Sequence, residues 1–316
     1  MADWLIEEGI GEHRAALVEH GEILAARIEW PGALAAGEVA EARLISRTAG
    51  SSRGTARFMS GEEALVDGLP RDASEGAIMR LEVTRAAIRE RHRTKLAQAR
   101  PSTAALRAAP SLAKALGGRI VRRIDGWDEL YIEAMQQSVE FSGGSLLVEP
   151  ATALTAIDID GTLPAGELGI CAVPAIARAI RRFDLSGSIV IDFPTLNDKN
   201  DRKAIDAALA KALNDWPHER TAMNGFGLVH IVARRERASL IERLTSQNEA
   251  AARLLLRRAE QVDAPGALLL CAPTRVREAM HADWETELTR RTGRQIRWQA
   301  NDTLAPWGCF AQAVPL

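Results

Sequence analysis

The sequence predicts a mixed α/β chain. Its first third carries closely spaced, alternating apolar–polar runs broken by turn residues, as short strands do. From Ser145 onward, short apolar runs alternate with segments of helical period, and a βαβ unit is legible. The 316 residues suffice for two or three domains with a sizeable core, and 47% hydrophobic and 26% charged residues are ordinary for a globular protein.

The elements follow in order. Residues 4–9 and 12–29 alternate, and Glu19-His20-Gly21-Glu22 divides the second run into two strands before Pro31-Gly32 ends it. Strands are predicted at 39–46, 55–59, 63–66 and 77–84, punctuated by Gly50, Gly54, Gly61 and Gly68, a spacing that suggests a small barrel. Composition then shifts. The run 85–100 holds Arg85, Arg89, Arg91, His92, Arg93, Lys95 and Arg100 against one acid, Glu90. Residues 101–118, rich in Ala, Ser and Pro, fit a loose connection or a short Ala-rich helix. A helix is predicted over 127–139, with Leu130, Ala134 and Met135 on one side. Strands are predicted at 145–149 and 154–158, then a helix over 173–182 with Pro174 in its first turn. Strand 188–192, helix 199–214, strand 226–233, helix 250–258, strand 267–272, a mostly helical 274–292 and strand 295–299 complete the chain.

Bulk properties narrow the function. A net charge of −2 excludes a polycation, so any nucleic-acid binding must come from a local basic patch. No apolar run approaches the roughly 18 residues of a membrane span. The N-terminus lacks a basic segment followed by an apolar one, so no secretory leader is expected. Cys171, Cys271 and Cys309 are isolated and form neither a disulfide framework nor a Cys-x-x-Cys zinc half-site. A reducing cytoplasm is the simplest compartment. The histidines show no metal-ligand spacing, Ser142-Gly143-Gly144-Ser145 lacks the Gly-Lys-Ser/Thr ending of a phosphate loop, and the aromatic residues form no ladder for single-stranded nucleic acid.

Chemistry concentrates on two apolar runs that each end in an aspartate. Asp158 and Asp160 close the first and share a face, because the strand period is two; Asp192 closes the second. One such aspartate reads as a cap for the following loop. Two in one α/β unit, one of them doubled, point to a site for a hard divalent cation and phosphoryl-ester chemistry. The basic run 85–100 fits either phosphate binding or a solvated face. In 220–229, Asn224, Gly225 and Gly227 permit either a close backbone approach to a ligand or a tight turn. Arg234-Arg235-Glu236-Arg237 adds cations just beyond.

These residues resemble a family. The segments from Ser142 to Glu149 and from Ala153 to Asp160, the run Asp184-Leu185-Ser186-Gly187-Ser188-Ile189-Val190-Ile191-Asp192-Phe193, and Phe226-Gly227-Leu228 followed by Arg235-Glu236-Arg237-Ala238-Ser239-Leu240 are similar, in order, to the catalytic signature of the ribonuclease E/G endoribonucleases. The resemblance implies a ribonuclease H-like portion (1–36 and 118–140) interrupted by an OB-like RNA-binding barrel (37–99), a linker (100–117), a catalytic metal-binding domain (141–248) and a small α/β domain (249–316). It implies that Asp158 and Asp192 hold Mg²⁺, with Mn²⁺ the alternative, for hydrolysis of RNA to 5′-phosphate and 3′-hydroxyl ends. Asp160 stands where the family has an asparagine that orients the first aspartate. As an acid it becomes a third ligand, an orienter or support for a second ion. Phe58 matches a barrel aromatic that packs on a base, while its companion is replaced by Gly68. Arg89, Arg91 and Lys95 are expected to track the RNA backbone. Lys199, Arg202 and Lys203 are expected at flanking phosphates or on a solvated helix face. Gly225 replaces the arginine before Phe-Gly-Leu, so a phosphate contact is expected to be lost or moved to Arg220, Arg234 or Arg235, with Asn224 a further expected RNA contact. Thr195 replaces a family aspartate. The paired-cysteine zinc link is missing, so zinc and a zinc-linked tetramer are not expected, and a homodimer stays open. The stretch 100–126 is short for a 5′-phosphate-sensing domain, so cleavage is expected to be independent of the 5′ end. The implied function is cytoplasmic, Mg²⁺-dependent endoribonucleolytic RNA processing or decay. The lost arginine and aromatic keep one alternative, a non-catalytic RNA-binding or ribosome-associated factor; a metal-dependent phosphoesterase acting on small nucleotides is a second.

Overall fold

A computed structural model describes residues 2–90 and 93–316. Arg91, one of the expected RNA contacts, lies outside the described residues. The chain opens with an antiparallel meander of β1 (Asp3–Gly9), β2 (Glu12–Glu19) and β3 (Glu22–Glu29). The β2–β3 turn places His20 and Gly21 at φ 52° and 84°, the two left-handed residues of a tight hairpin.

A closed barrel follows, built from β4 (Val39–Arg47), β5 (Gly54–Phe58), β6 (Glu63–Val66) and β7 (Ile78–Arg85). A short hairpin, β8 (Ile88–Arg89) with β9 (Thr94–Lys95), leads into β10 (Ala97–Pro101). That strand closes the barrel in the order β10-β6-β5-β4-β7. Closure leaves no free edge. Leu34, Leu44, Phe58, Val66, Leu69, Leu81 and Val83 fill the interior. The helix α1 (Leu112–Leu116) is capped by Ser111 and ended by Gly117 at φ 63°. The strand β11 (Arg119–Ile120) then returns the chain to β1, in parallel, and α2 (Trp127–Gln136) follows.

The central sheet is made of β12 (Ser138–Phe141), β13 (Gly144–Pro150), β14 (Thr155–Gly161), β15 (Gly187–Asp192), β16 (Glu219–Arg220) and β17 (Leu228–Ala233), in the order β12-β13-β14-β15-β17-β16. Only β14 and β15 run parallel in it, joined through α3 (Ala165–Arg182); α4 (Lys199–Ala212) follows β15. Leu146, Val148, Ile157, Ile159, Ile189, Ile191, Val229 and Ile231 form one buried face. Helix α3 contacts β3 of the first sheet as well as β12, β13 and β14. The opposite face of the central sheet is open.

The chain ends with α5 (Leu240–Leu244), α6 (Gln247–Glu260), β18 (Ala267–Ala272), α7 (Thr274–Glu278), α8 (Ala282–Thr292), β19 (Ile296–Ala300) and β20 (Phe310–Val314). The last three strands form a small sheet, β19-β18-β20. A buried ionic cluster ties this unit to the first sheet: the Glu7 carboxylate accepts hydrogen bonds from Arg14 of β2 and Arg257 of α6. Among the described residues, no helix is long and apolar enough to cross a membrane.

Three predicted boundaries are corrected. Helix α3 begins at Ala165, so Pro174 sits inside it and not in its first turn; Pro174 is on the exposed side, where the carbonyl it leaves unpaired is open to water. Helix α2 stops at Gln136 because Gln137 turns left-handed at φ 57°, and 138–141 pairs as β12. The stretch 226–227 belongs to a turn, and the strand starts at Leu228.

Candidate active site on the open sheet face

Burial alternates along β14 and β15. Ile157, Ile159 and Ile191 point into the core, so Asp158, Asp160 and Asp192 point out. Asp158 and Asp192 are direct Cα partners across the parallel β14–β15 ladder. Neighbouring strands lie about 4.8 Å apart, so the two exposed carboxylates can meet one ion between them. The Asp158 Oδ1 atom accepts the Ile159 backbone N–H at 3.0 Å. Asp160 is opposite Ser145 of β13 and, at about 3.3 Å per residue, stands about 7 Å further along β14. Among the described residues, no three acidic, histidine or cysteine side chains gather into a metal-holding group. Asp158 and Asp192 thus form a facing carboxylate pair, with Asp160 a step beyond it on the same face.

Helix α4 begins a short loop after Asp192. The Asp198 carboxylate caps it, accepting the Asn200 N–H at 2.7 Å. Lys199 and Lys203 are exposed in its first turns, whereas Arg202 is half-buried and donates to the Leu196 carbonyl. Two exposed ammonium groups thus stand in the first turns of α4, one short loop after Asp192. Through that bond Arg202 braces the loop that leads into α4.

The segment before β17 is a tight turn. The Asn224 Oδ1 atom accepts from the Phe226 and Leu228 N–H groups at 2.9 and 3.0 Å, and the Asn224 backbone N–H donates to the Leu228 carbonyl at 3.0 Å. Gly227 has φ 88°, and a Cβ there would lie 2.8 Å from the Phe193 carbonyl oxygen. The side-chain oxygen of Asn224, expected at RNA, is committed to this turn. The loop leaves Phe226 84% exposed, beyond the Leu228 partner of Asp192. Arg220 pairs with Asp206, whose carboxyl is held below its usual range chiefly by that hydrogen bond. Asp206 also accepts the Met223 N–H at 3.0 Å, anchoring the start of the turn. Arg235 pairs with Glu242, the residue that completes the α5 capping box, so it braces that helix and is not free for phosphate. Arg234 remains exposed, 3.4 Å from Glu236. On the same open face, Ser188 Oγ and His230 Nε2 lie 2.7 Å apart. They are 42 residues apart in sequence and meet only through the β15–β17 pairing, so no local motif announces them.

The barrel contacts differ from expectation. Phe58 is 4% exposed and packs inside the barrel, so its ring cannot stack on a base. Arg89 donates to Ser246 Oγ at 2.9 Å and to Glu249 Oε1 at 2.7 Å. Lys95 pairs with Glu90 and reaches the Thr152 carbonyl at 3.3 Å. Both contacts tie the β8–β9 hairpin to the rest of the molecule, while Arg89 stays largely exposed.

A model of the Ribonuclease E/G family matches residues 43–237. Ribonuclease G of Escherichia coli K12 is 33% identical over 120 residues, covering 34% of this chain and 24% of that protein. Ribonuclease G of Salmonella typhimurium gives the same values, and Ribonuclease E of Buchnera aphidicola is 36% identical over 92 residues, 26% of this chain and 10% of its own. The aligned part thus spans about a quarter or less of these curated relatives. The family match runs from the barrel through both strand-end aspartates to the residues after β17, and this chain belongs to the ribonuclease E/G family.

Proposed function

We propose that this chain is a divalent-metal-dependent endoribonuclease that hydrolyses RNA at the Asp158–Asp192 pair and leaves 5′-phosphate ends. The observation that carries the reading is the direct pairing of these two exposed aspartates across β14 and β15. The donor set fits Mg²⁺ or Mn²⁺: Mg²⁺ is commonly held by one or two carboxylates, with waters and substrate phosphates completing its shell. When bound, such an ion supplies Lewis-acid polarisation of the scissile phosphate and a water of lowered pKa. The chain's own residues position the substrate. Asp158, steadied by the Ile159 N–H, and Asp192 fix the reaction point, while Lys199 and Lys203 offer cations to flanking phosphates. Arg234 adds a further exposed guanidinium. An open sheet face favours a polymer lying across it over a small nucleotide held in a closed pocket.

Between β10 and α2, the described chain holds only the five-residue α1 and the two-residue β11. That is too little for a separate domain that senses a 5′-phosphate, so we expect cutting to be independent of the 5′ end in a cytoplasmic role in RNA processing or decay. The buried Phe58 and the engaged Arg89 favour one competing reading, a non-catalytic RNA-binding factor. Incubation of a single-stranded RNA with purified protein, in Mg²⁺ or EDTA and beside Asp158→Asn, separates the two. Cutting only by wild type in Mg²⁺ supports the enzyme. Wild type that binds RNA and never cuts it supports the binding factor.

A further inference from the structure

Phe226 is the anomaly on this surface. Its ring is 84% exposed, yet its backbone is pinned on both sides. Asn224 holds the Phe226 and Leu228 amides, and Gly227 packs against the Phe193 carbonyl one residue beyond Asp192. A large apolar ring kept in water by a pinned backbone costs hydration free energy that a flexible loop could avoid by burying it. Two residues span at most about 7 Å, and cross-strand Cα partners are about 5 Å apart. The Phe226 Cα therefore lies within about 12 Å of the Asp192 Cα, since Leu228 is the partner of Asp192. The barrel phenylalanine expected to face a base is buried, so Phe226 is the exposed phenyl group beside the carboxylates.

We propose that Phe226 is a stacking platform for a nucleobase of single-stranded RNA, next to the scissile phosphate. This rests on the nuclease reading above. Every base has a π-face, so the contact is tolerant of sequence, and it substitutes for the stacking that Phe58 cannot provide. The turn already fixes the backbone that carries the ring, so little backbone freedom is lost when a base covers it.

The test is binding of a short fluorescent single-stranded RNA, by anisotropy, to Asp192→Asn protein in Mg²⁺ and to wild type in EDTA, each with and without Phe226→Ala, Phe226→Leu or Phe226→Trp. Phe226→Ala and Phe226→Leu are expected to weaken binding tenfold or more, about 1.4 kcal/mol. Phe226→Trp stays within threefold of the parent. The salt dependence is unchanged, because no phosphate contact is lost. One abasic position in the RNA should remove most of the difference between the parent and the Phe226→Ala protein, which loss of a merely structural residue would not do. Equal binding by the Phe226→Ala protein, or no such abasic position, overturns the platform while leaving cleavage intact. RNA that binds none of the proteins and is not cut overturns the nuclease reading as well. The ring is exposed, so Phe226→Ala should melt with the parent, and its binding defect then reports on stacking alone.

Discussion

Glu7→Gln removes one charge from the centre of the buried cluster that joins the first sheet to α6. Glu7 Oε1 accepts from Arg14 Nη1 at 3.1 Å and Arg257 Nε at 2.8 Å. Oε2 accepts from the Ile124 N–H at 2.8 Å and Arg257 Nη2 at 3.2 Å. All three side chains are almost fully buried. Glutamine keeps one acceptor oxygen and turns an N–H₂ toward the donors that met the other. Whichever way it sits, two hydrogen bonds are lost, each involving a charged group and worth about 1.5–3 kcal/mol. The expected loss is about 3–5 kcal/mol, the range for breaking a buried ion pair. Arg257 keeps Asp128 and the Ile124 carbonyl, and Arg14 keeps Glu12 at 2.7 Å, which favours the lower end. Against a total of about 5–15 kcal/mol this is a large fraction. Urea unfolding followed by tryptophan fluorescence reads it as a lower midpoint at unchanged slope. A loss below about 1 kcal/mol would refute the claim that this cluster fastens the two units.

Other outcomes follow from particular residues. Asp206 has its pKa depressed in the folded state by Arg220, so its stabilisation is full above its unfolded value of about 3.9 and disappears as pH falls through the folded value. Wild type should therefore exceed Asp206→Asn in stability at pH 6, and the gap should close in acid; a gap unchanged at low pH contradicts the assignment. Pro174→Ala restores a helix hydrogen bond at an exposed position inside α3 and should stabilise by about 1–3 kcal/mol in thermal or urea unfolding. Gly227→Ala forces a Cβ to within 2.8 Å of the Phe193 carbonyl at a positive φ. It should cost about 1–3 kcal/mol and weaken RNA binding by displacing Phe226, whereas unchanged binding would show that the turn does not matter.

Much of the fold is legible in local pattern. The alternating runs of 4–29, the glycine-punctuated strands of 39–84 and the apolar runs before Asp158 and Asp192 are local signals, and the structure forms strands there. Elements defined by partners are not legible. The closing barrel strand β10 is Ala-Gln-Ala-Arg-Pro, with neither β-branched nor aromatic residues, and forms because β6 and β7 flank it. Helix α2 ends at Gln137, a residue type that gives no warning of a left-handed turn. Pro174 has the look of a first-turn residue, but α3 tolerates it on its solvent side. At the site, β periodicity places the aspartates on one face, and register then makes Asp158 and Asp192 partners. Composition could not reveal that Arg89, Lys95, Arg202 and Arg235 already have protein partners, because those partners lie in other elements or in backbone. Nor could it reveal that Phe58 faces inward and Phe226 outward.

The central claim is that Asp158 and Asp192 form one hydrolytic centre with a divalent ion. Its most direct measurement is single-turnover cleavage of a single-stranded RNA by wild type, Asp158→Asn and Asp192→Asn, across a Mg²⁺ titration and in EDTA, with product ends identified. Wild type is expected to cut in Mg²⁺ and leave 5′-phosphate products, with losses of at least a hundredfold in either variant and in EDTA. Cleavage that persists in EDTA, or that survives Asp192→Asn within a few-fold, would contradict it.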